Sequence, residues 1–243
     1  GVNVRSTVAT YSGVLDELRR AFACTEEAQA AGLKPGAFSY NTGSLRCPTC
    51  DGTGQITLDV QFLPDVDIEC TECRGSRYGA QAASIRRDGL SLPDILAMSV
   101  DEARVAVRGL KKAGALLETL SGLGLGYLTL GEATPALSGG EAQRLKLASE
   151  MGRRQDGALF VFDEPTIGLH PDDVQVLVDV LQRLIERGAT VVVIEQDLDL
   201  IRCADWVIDM GPGGGIEGGR IVAQGTPSDI AANKASVTGR YLR

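Results

Sequence analysis

Two short stretches carry residue types suited to handling phosphate. Leu137-Ser138-Gly139-Gly140-Glu141-Ala142-Gln143-Arg144 places a hydroxyl and two glycines at the start of a helix-favouring run. The first turn of a helix has unpaired N–H donors and the positive end of the macrodipole, so open backbone and a hydroxyl there form an anion site. Leu159-Phe160-Val161-Phe162-Asp163-Glu164 is an apolar strand run ending in two carboxylates. Delivered to the C-terminal edge of a parallel sheet, where ligands bind, Asp163 suits a water-mediated Mg²⁺ contact and Glu164 a general base that orients water.

A second set of residues points to metal. Cys47 and Cys50 form one C-x-x-C unit, Cys70 and Cys73 another, with residues 51–69 between them. This spacing matches a structural Zn²⁺ site; redox pairs or a chance arrangement are the alternatives. Four sulfur ligands leave no open coordination position, so such a zinc would hold a hairpin together and take no part in catalysis. Glycines after each pair let the backbone turn so that its N–H groups face the sulfurs. Between Cys47 and Tyr78 the acids Asp51, Asp59, Asp65, Asp67, Glu69 and Glu72 face only Arg74 and Arg77, which makes the hairpin a poor phosphate clamp by itself.

Composition bounds what surrounds these groups. The 243 residues are 44% hydrophobic, enough for one large domain or two small ones with real cores. No apolar run approaches the ~20 residues needed to cross a bilayer, and no charged-then-apolar signal opens the sequence, which predicts a cytoplasmic protein that avoids membranes. A net charge of −8 excludes a surface that grips nucleic acid everywhere; any DNA contact must be local or made by parts outside this sequence.

The elements that must position the chemistry follow from periodicity. Val14 to Ala31 predicts an amphipathic helix, with Cys24 in it as a small buried residue. Asp88-Gly89 predicts a strand turn, Leu92 to Met98 a helix, and Ser99 with Glu102 a capping box. Lys111 to Leu123 predicts another helix. The basic pairs Arg86, Arg87 and Lys111, Lys112 read first as solvated surface, and second as a DNA or partner contact. A strand-like run with a central FLPDV joins the cysteine pairs. Asp172 to Arg187 is an amphipathic helix between the strand ending at Asp163 and the β-branched run Ala189 to Ile194, a βαβ unit with a parallel pair, so the fold class is α/β. Trp206 to Met210 and Arg220 to Val222 predict further strands, and Thr226-Pro227 starts a last helix with proline in its first turn.

Taken together, LSGGEAQR followed by LFVFDEPTIGLH resembles the signature motif, Walker B strand and D-loop of an ABC-type ATPase. The GLH after DEPT, the stretch RSTVATYSG from Arg5 to Gly13, and the cysteine pairs flanking QFLPDV are similar to the UvrA family. The resemblance covers nearly the whole sequence and implies an ABC-type ATPase head, a parallel sheet with helices, carrying a helical signature lobe and a zinc hairpin. It divides the chain into the start of a helical lobe (1–46), the zinc hairpin (47–78), the helical signature lobe (79–131) and the ATPase core (132–243). It implies that ATP lies between two halves. Ser138, Gly139, Gly140, Glu141, Gln143 and His170 would then serve as nucleotide contacts, with the two glycines and Ser138 reaching ATP on the opposite half. A plain turn-capping role is the alternative for His170. Asp163, Glu164 and Gln196 would be the catalytic set, and Cys47, Cys50, Cys70 and Cys73 the zinc ligands.

Two departures from the family pattern stand out. No G-x-x-x-x-G-K-[ST] phosphate loop occurs, and the glycine-rich stretch Gly211 to Gly219 has no lysine, so the sequence is expected to be a C-terminal part that begins just after that loop. Where UvrA sequences read Ile-Glu-His, this one reads Ile194-Glu195-Gln196, and its single histidine is His170. Gln196 donates through its amide but carries no charge, which predicts slow hydrolysis or a UvrA-like side branch. The implied function is an ATP-dependent dimeric recognition subunit for damaged duplex DNA in nucleotide excision repair, with a UvrB-type partner. The alternatives are a paralogue for self-resistance to DNA-binding compounds and a non-hydrolysing zinc-stabilised interaction module.

Overall fold

The computed structural model describes residues 5–58, 66–151, 157–211, 213 and 218–243. The FLPDV run spans 62–66; its residues 62–65 lie outside them, as does most of the stretch between Gly211 and Gly219. Two compact units divide the chain, Gly1–Arg153 and Arg154–Arg243.

The first unit is mainly helical. It opens with α1 (Val8–Tyr11), α2 (Val14–Phe22) and α3 (Glu26–Ala30). The expected single helix from Val14 to Ala31 is therefore two, because the Thr25 hydroxyl accepts from the Ala28 N–H and starts a new helix. A threonine that caps in extended conformation cannot also continue the preceding turn. Cys24 falls in that break and is exposed, which corrects its expected burial. The hairpin β1 (Gln55–Leu58) and β2 (Val66–Glu69) follows, antiparallel, with Gln55 opposite Glu69. Next come α4 (Ala80–Ser84), a second hairpin of β3 (Arg86–Arg87) and β4 (Leu90–Ser91) turning at Asp88-Gly89, then α5 (Leu92–Ala97), α6 (Val100–Ala106), α7 (Lys111–Leu120) and α8 (Gly139–Glu150). Ser91 with Asp94 and Ser99 with Glu102 form capping boxes that satisfy the first N–H groups of α5 and α6.

The core of this unit joins distant parts of the sequence. Leu18, Phe22, Phe38, Tyr40, Leu92, Leu117, Leu120, Leu130 and Leu145 are all buried in it. The Phe22 and Phe38 rings lie 6.1 Å apart, and Tyr40 meets Tyr78 edge-on at 6.0 Å. Buried hydroxyls find partners: Tyr78 donates to the Phe38 carbonyl at 2.7 Å, and the Tyr40 and Thr7 hydroxyls lie 2.9 Å apart. The Val8 and Ala9 N–H groups bond the Glu132 and Leu130 carbonyls, so the N-terminal segment runs beside the approach to α8.

The second unit contains β5 (Leu159–Asp163), α9 (Pro171–Glu186), β6 (Thr190–Ile194), α10 (Leu198–Arg202), β7 (Val207–Gly211), β8 (Arg220–Gly225), α11 (Pro227–Ala232) and α12 (Val237–Leu242). β5 and β6 pair in parallel with Leu159 opposite Thr190 and Asp163 opposite Ile194, and α9 is the crossover, as the βαβ reading expects. β7 and β8 form a separate antiparallel pair with a bulge at Asp209/Met210. Alternation along β5 and β6 buries Phe162 and half-buries Phe160, Val191 and Val193, while Leu159, Val161, Val192 and Ile194 face solvent. Apolar residues on both faces are what a parallel strand carries.

Candidate functional site at the ends of two parallel strands

The carboxylates of the DEPT stretch emerge where β5 ends. Asp163 is its last residue and is exposed. Glu164 continues the ladder by donating its N–H to the Ile194 carbonyl at 2.8 Å, then turns the chain with φ of +46°. A non-glycine residue in this region is uncommon and is kept only where its surroundings hold it. Gln196, just past β6, is exposed and donates its Nε2 to Glu164 Oε1 at 2.7 Å. The two candidate catalytic groups, 32 residues apart in sequence, are thus in direct contact. An exposed and a half-buried carboxylate with a neutral donor beside them can hold a hydrated divalent cation and orient a water molecule.

Glu195 was not among the expected site residues, yet it organises this strand end. Its Oε1 accepts from the Thr166 N–H at 2.8 Å and the Thr166 hydroxyl at 2.5 Å. Its Oε2 accepts from the N–H groups of Gln196 at 2.8 Å and Asp197 at 3.1 Å. Burial opposes its ionisation, but the bonds from Thr166, Asp197 and Gln196 outweigh that and hold the carboxyl below its usual range. The only sequence signal was a carboxylate directly after an apolar strand, and Asp163 gives the same signal. His170 is exposed, at the end of the turn that follows Thr166, directly before α9.

In the first unit, Ser138 caps α8. Its hydroxyl accepts from the Glu141 N–H at 3.3 Å, and its own N–H donates to Glu141 Oε2 at 2.6 Å, a capping box. Glu141 Oε1 also accepts from the Tyr127 hydroxyl, and that bond is the main cause holding the Glu141 carboxyl below its ordinary value. Both carboxylate oxygens of Glu141 therefore serve the local structure. Ser138 and Gly139 are exposed, and a Cβ at Gly139 would meet nothing within 4 Å, so the backbone of the first turn is open to an approaching group. Gln143 is half-buried and Arg144 fully buried on the same helix.

The four cysteines converge. Cys47, Cys50, Cys70 and Cys73 are all buried, and their sulfurs lie within 4.8 Å of one another. Sγ of Cys47 is 3.9 Å from that of Cys70, and Sγ of Cys50 is 3.6 Å from that of Cys73. A tetrahedral ion with bonds of about 2.3 Å to sulfur has S···S edges of about 3.8 Å, so the set fits one such metal ion. The fit is built by two like knuckles. Asp51, Gly52 and Gly54 in one, and Arg74, Gly75 and Arg77 in the other, take positive φ. At Gly52 a Cβ would lie 1.7 Å from the Tyr40 carbonyl oxygen, so no side chain fits. The knuckles pair through Cys47 N–H to the Arg77 carbonyl and Cys70 N–H to the Gly54 carbonyl, at 3.0 and 2.9 Å.

Charge around the sulfurs suits thiolates. The Gly54 N–H points at Cys50 Sγ from 3.3 Å. Burial opposes ionisation of Cys50, but this bond and those from neighbouring groups bring its pKa down to about 7. Burial dominates at Cys73, pushed up to about 12, and also raises Cys47. A cation that binds here must displace the protons of the thiols. Arg77 is buried beside the cluster with its guanidinium 5.2 Å from the Tyr40 ring centre, a cationic counterweight that the spacing of the cysteines alone did not reveal.

No protein-family model matches the chain. It is 50% identical over 244 residues to UvrABC system protein A of Aquifex aeolicus, covering 100% of this chain and 26% of that relative. It is 48% identical over 243 residues to UvrABC system protein A of Synechocystis, again covering 100% of this chain and 25% of the relative. The chain thus spans about a quarter of the length of the curated relatives it matches. Among solved structures, UvrA2 from Deinococcus radiodurans superposes with a TM-score of 0.87 at 44% identity, covering 100% of this chain and 30% of that one. The chain belongs to the UvrA family, matching over its whole length a part of a larger UvrABC system protein A.

Proposed function

We propose that the chain is the C-terminal ATPase half of a UvrA-type protein that recognises damaged duplex DNA in nucleotide excision repair, acts as a cytoplasmic homodimer and hands lesions to a UvrB-type partner. The observation that carries the reading is the Glu164–Gln196 pair at the ends of β5 and β6, in a chain half identical to UvrABC system protein A. No helix among the described residues is long and apolar enough to cross a membrane.

Within this reading each group has a task. Mg²⁺, when bound, neutralises developing charge on the phosphates, and Asp163 would hold it through water. Glu164 accepts the proton of the attacking water and Gln196 keeps that carboxylate aimed. Ser138, Gly139, Gly140 and Gln143 of α8 meet the nucleotide of the facing half, with Glu141 fixing the cap, and His170 lies at the turn before α9. That Ser138 and Glu164 belong to different compact units supports treating them as parts of two half-sites. The cysteine cluster holds Zn²⁺ as a closed structural centre. Functionally the chain divides into a leading helical segment (1–46), the zinc hairpin (47–78), the helical signature lobe (79–131) and the ATPase core (132–243).

The test is ATP turnover by the full-length protein with and without damaged duplex. Turnover that responds to damaged DNA and falls with Glu164→Gln supports the reading. Gln196 in place of histidine favours a second one, a UvrA-like paralogue for self-resistance to DNA-binding compounds, for which turnover would ignore DNA. Absence of turnover would leave a zinc-stabilised interaction module.

A further inference from the structure

Glu164 and Gln196 come from different turns, and the pairing of β5 with β6 ends at the Glu164 N–H bond to the Ile194 carbonyl. Glu164 also keeps a φ of +46°, which an isolated turn would relax. The Glu195 carboxylate answers both problems. One oxygen takes both donors of Thr166, two residues after Glu164, and the other takes the N–H groups of Gln196 and Asp197. Asp197 in turn caps α10 by accepting from the Asp199 and Leu200 N–H groups at 3.0 and 2.9 Å. The Glu195 side chain is half-buried and touches neither Asp163 nor Glu164 through any of these bonds.

We propose that Glu195 is the positioning residue of the strand-end site, its carboxylate clamping the turn after β5 to the turn after β6 so that Gln196 and Glu164 stay within hydrogen-bond reach. The inference rests on the ATPase reading above. Four donors converge on two oxygens, which only an ionised carboxylate can satisfy. A glutamine there offers one oxygen and brings an NH₂ group against N–H donors. Its loss should appear in the rate and not in nucleotide binding, because the clamp touches groups that handle water and not the parts that hold the nucleotide.

The test uses the full-length protein with the corresponding glutamate of its other ATPase half replaced, so that only this site turns over. Glu195→Gln is expected to lower kcat by about 10- to 100-fold, the scale of a sub-ångström to 1 Å misplacement, with KM for ATP changed by less than about threefold. Thr166→Val should lower kcat in the same direction, and the double variant should fall no further than the worse single one, the behaviour of two residues acting through one contact. Unchanged kcat, a change confined to KM, or additive losses would each overturn the proposal. Glu164→Gln serves as the separating control. If it leaves turnover unaltered, the ATPase reading falls, and the clamp is judged by amide exchange at Thr166, Gln196 and Asp197. Faster exchange there in Glu195→Gln supports it, and unchanged exchange refutes it.

Discussion

Removing one sulfur should dissolve the cysteine hairpin and leave the helical unit standing. Among the described residues, the cysteine cluster packs against a single partly buried apolar side chain, Ile56. Gln55, Thr57, Asp67 and Glu69 point to solvent, and Ile68 is 38% exposed. Half-burying an isoleucine contributes about 1 kcal/mol, and the four cross-strand pairs of β1 and β2 add about 1–3 kcal/mol together. Structural zinc contributes on the order of 10 kcal/mol or more at neutral pH. A metal held there would thus outweigh these other contributions, and a two-stranded hairpin without it is marginal. Cys70→Ser removes a fully buried sulfur that lies 3.9 Å from Cys47 Sγ. The assay combines metal analysis with amide exchange. The native protein should hold about one equivalent of Zn²⁺, and the variant close to none. Protection at Gln55–Leu58 and Val66–Glu69 should vanish, while protection in α2 and α7 persists, because the Phe22, Phe38 and Leu117 core does not depend on the sulfurs. Cys24→Ser, at an exposed cysteine far in sequence from both knuckles, should change neither readout. A hairpin that stays protected in metal-free protein would refute the reasoning.

Three further outcomes follow from the same geometry. Tyr78→Phe strands the buried Phe38 carbonyl and should cost about 1–3 kcal/mol in denaturant unfolding; a loss under half of the lower figure would mean the carbonyl finds another donor. Ser138→Ala removes the cap of α8 and should cost about 1 kcal/mol, measured without nucleotide so that stability and ligand contact are separated. For Glu195 the folded pKa lies below its unfolded value of about 4.3, so its contribution is present above that pH and lost as pH falls through the folded value. The stability gap between the native protein and Glu195→Gln should therefore be constant near neutrality and shrink below about pH 4.3; a gap that widened on acidification would contradict the assignment.

Much of this protein was legible in its residues because the signals are local. A C-x-x-C pair followed by glycine specifies its own knuckle, since the turn needs positive φ and the sulfurs need backbone N–H groups, both within a few residues. The same holds for the Ser99–Glu102 cap, the Asp88-Gly89 turn and the β-branched run that became β6. Thr25 shows the limit even locally. The apolar spacing from Val14 onward fits one helix, and only the capping bond to Ala28 reveals that the chain breaks there and exposes Cys24.

What tertiary structure alone decided involves partners far apart in sequence. Arg77 is buried because Tyr40 and the cysteines surround it, and no pattern near residue 77 announces an aromatic neighbour at 40. Both oxygens of Glu141 are taken, one by its own cap and the other by Tyr127, which the spelling of the signature stretch does not show. Glu195 looked like any carboxylate after a strand until the parallel register of β5 and β6 brought Thr166 to it. Residue types and short spacings determined which groups could bind metal or handle phosphate. Register and packing decided which of them meet, because hydrogen bonds act over about 3 Å in space and are indifferent to separation along the chain.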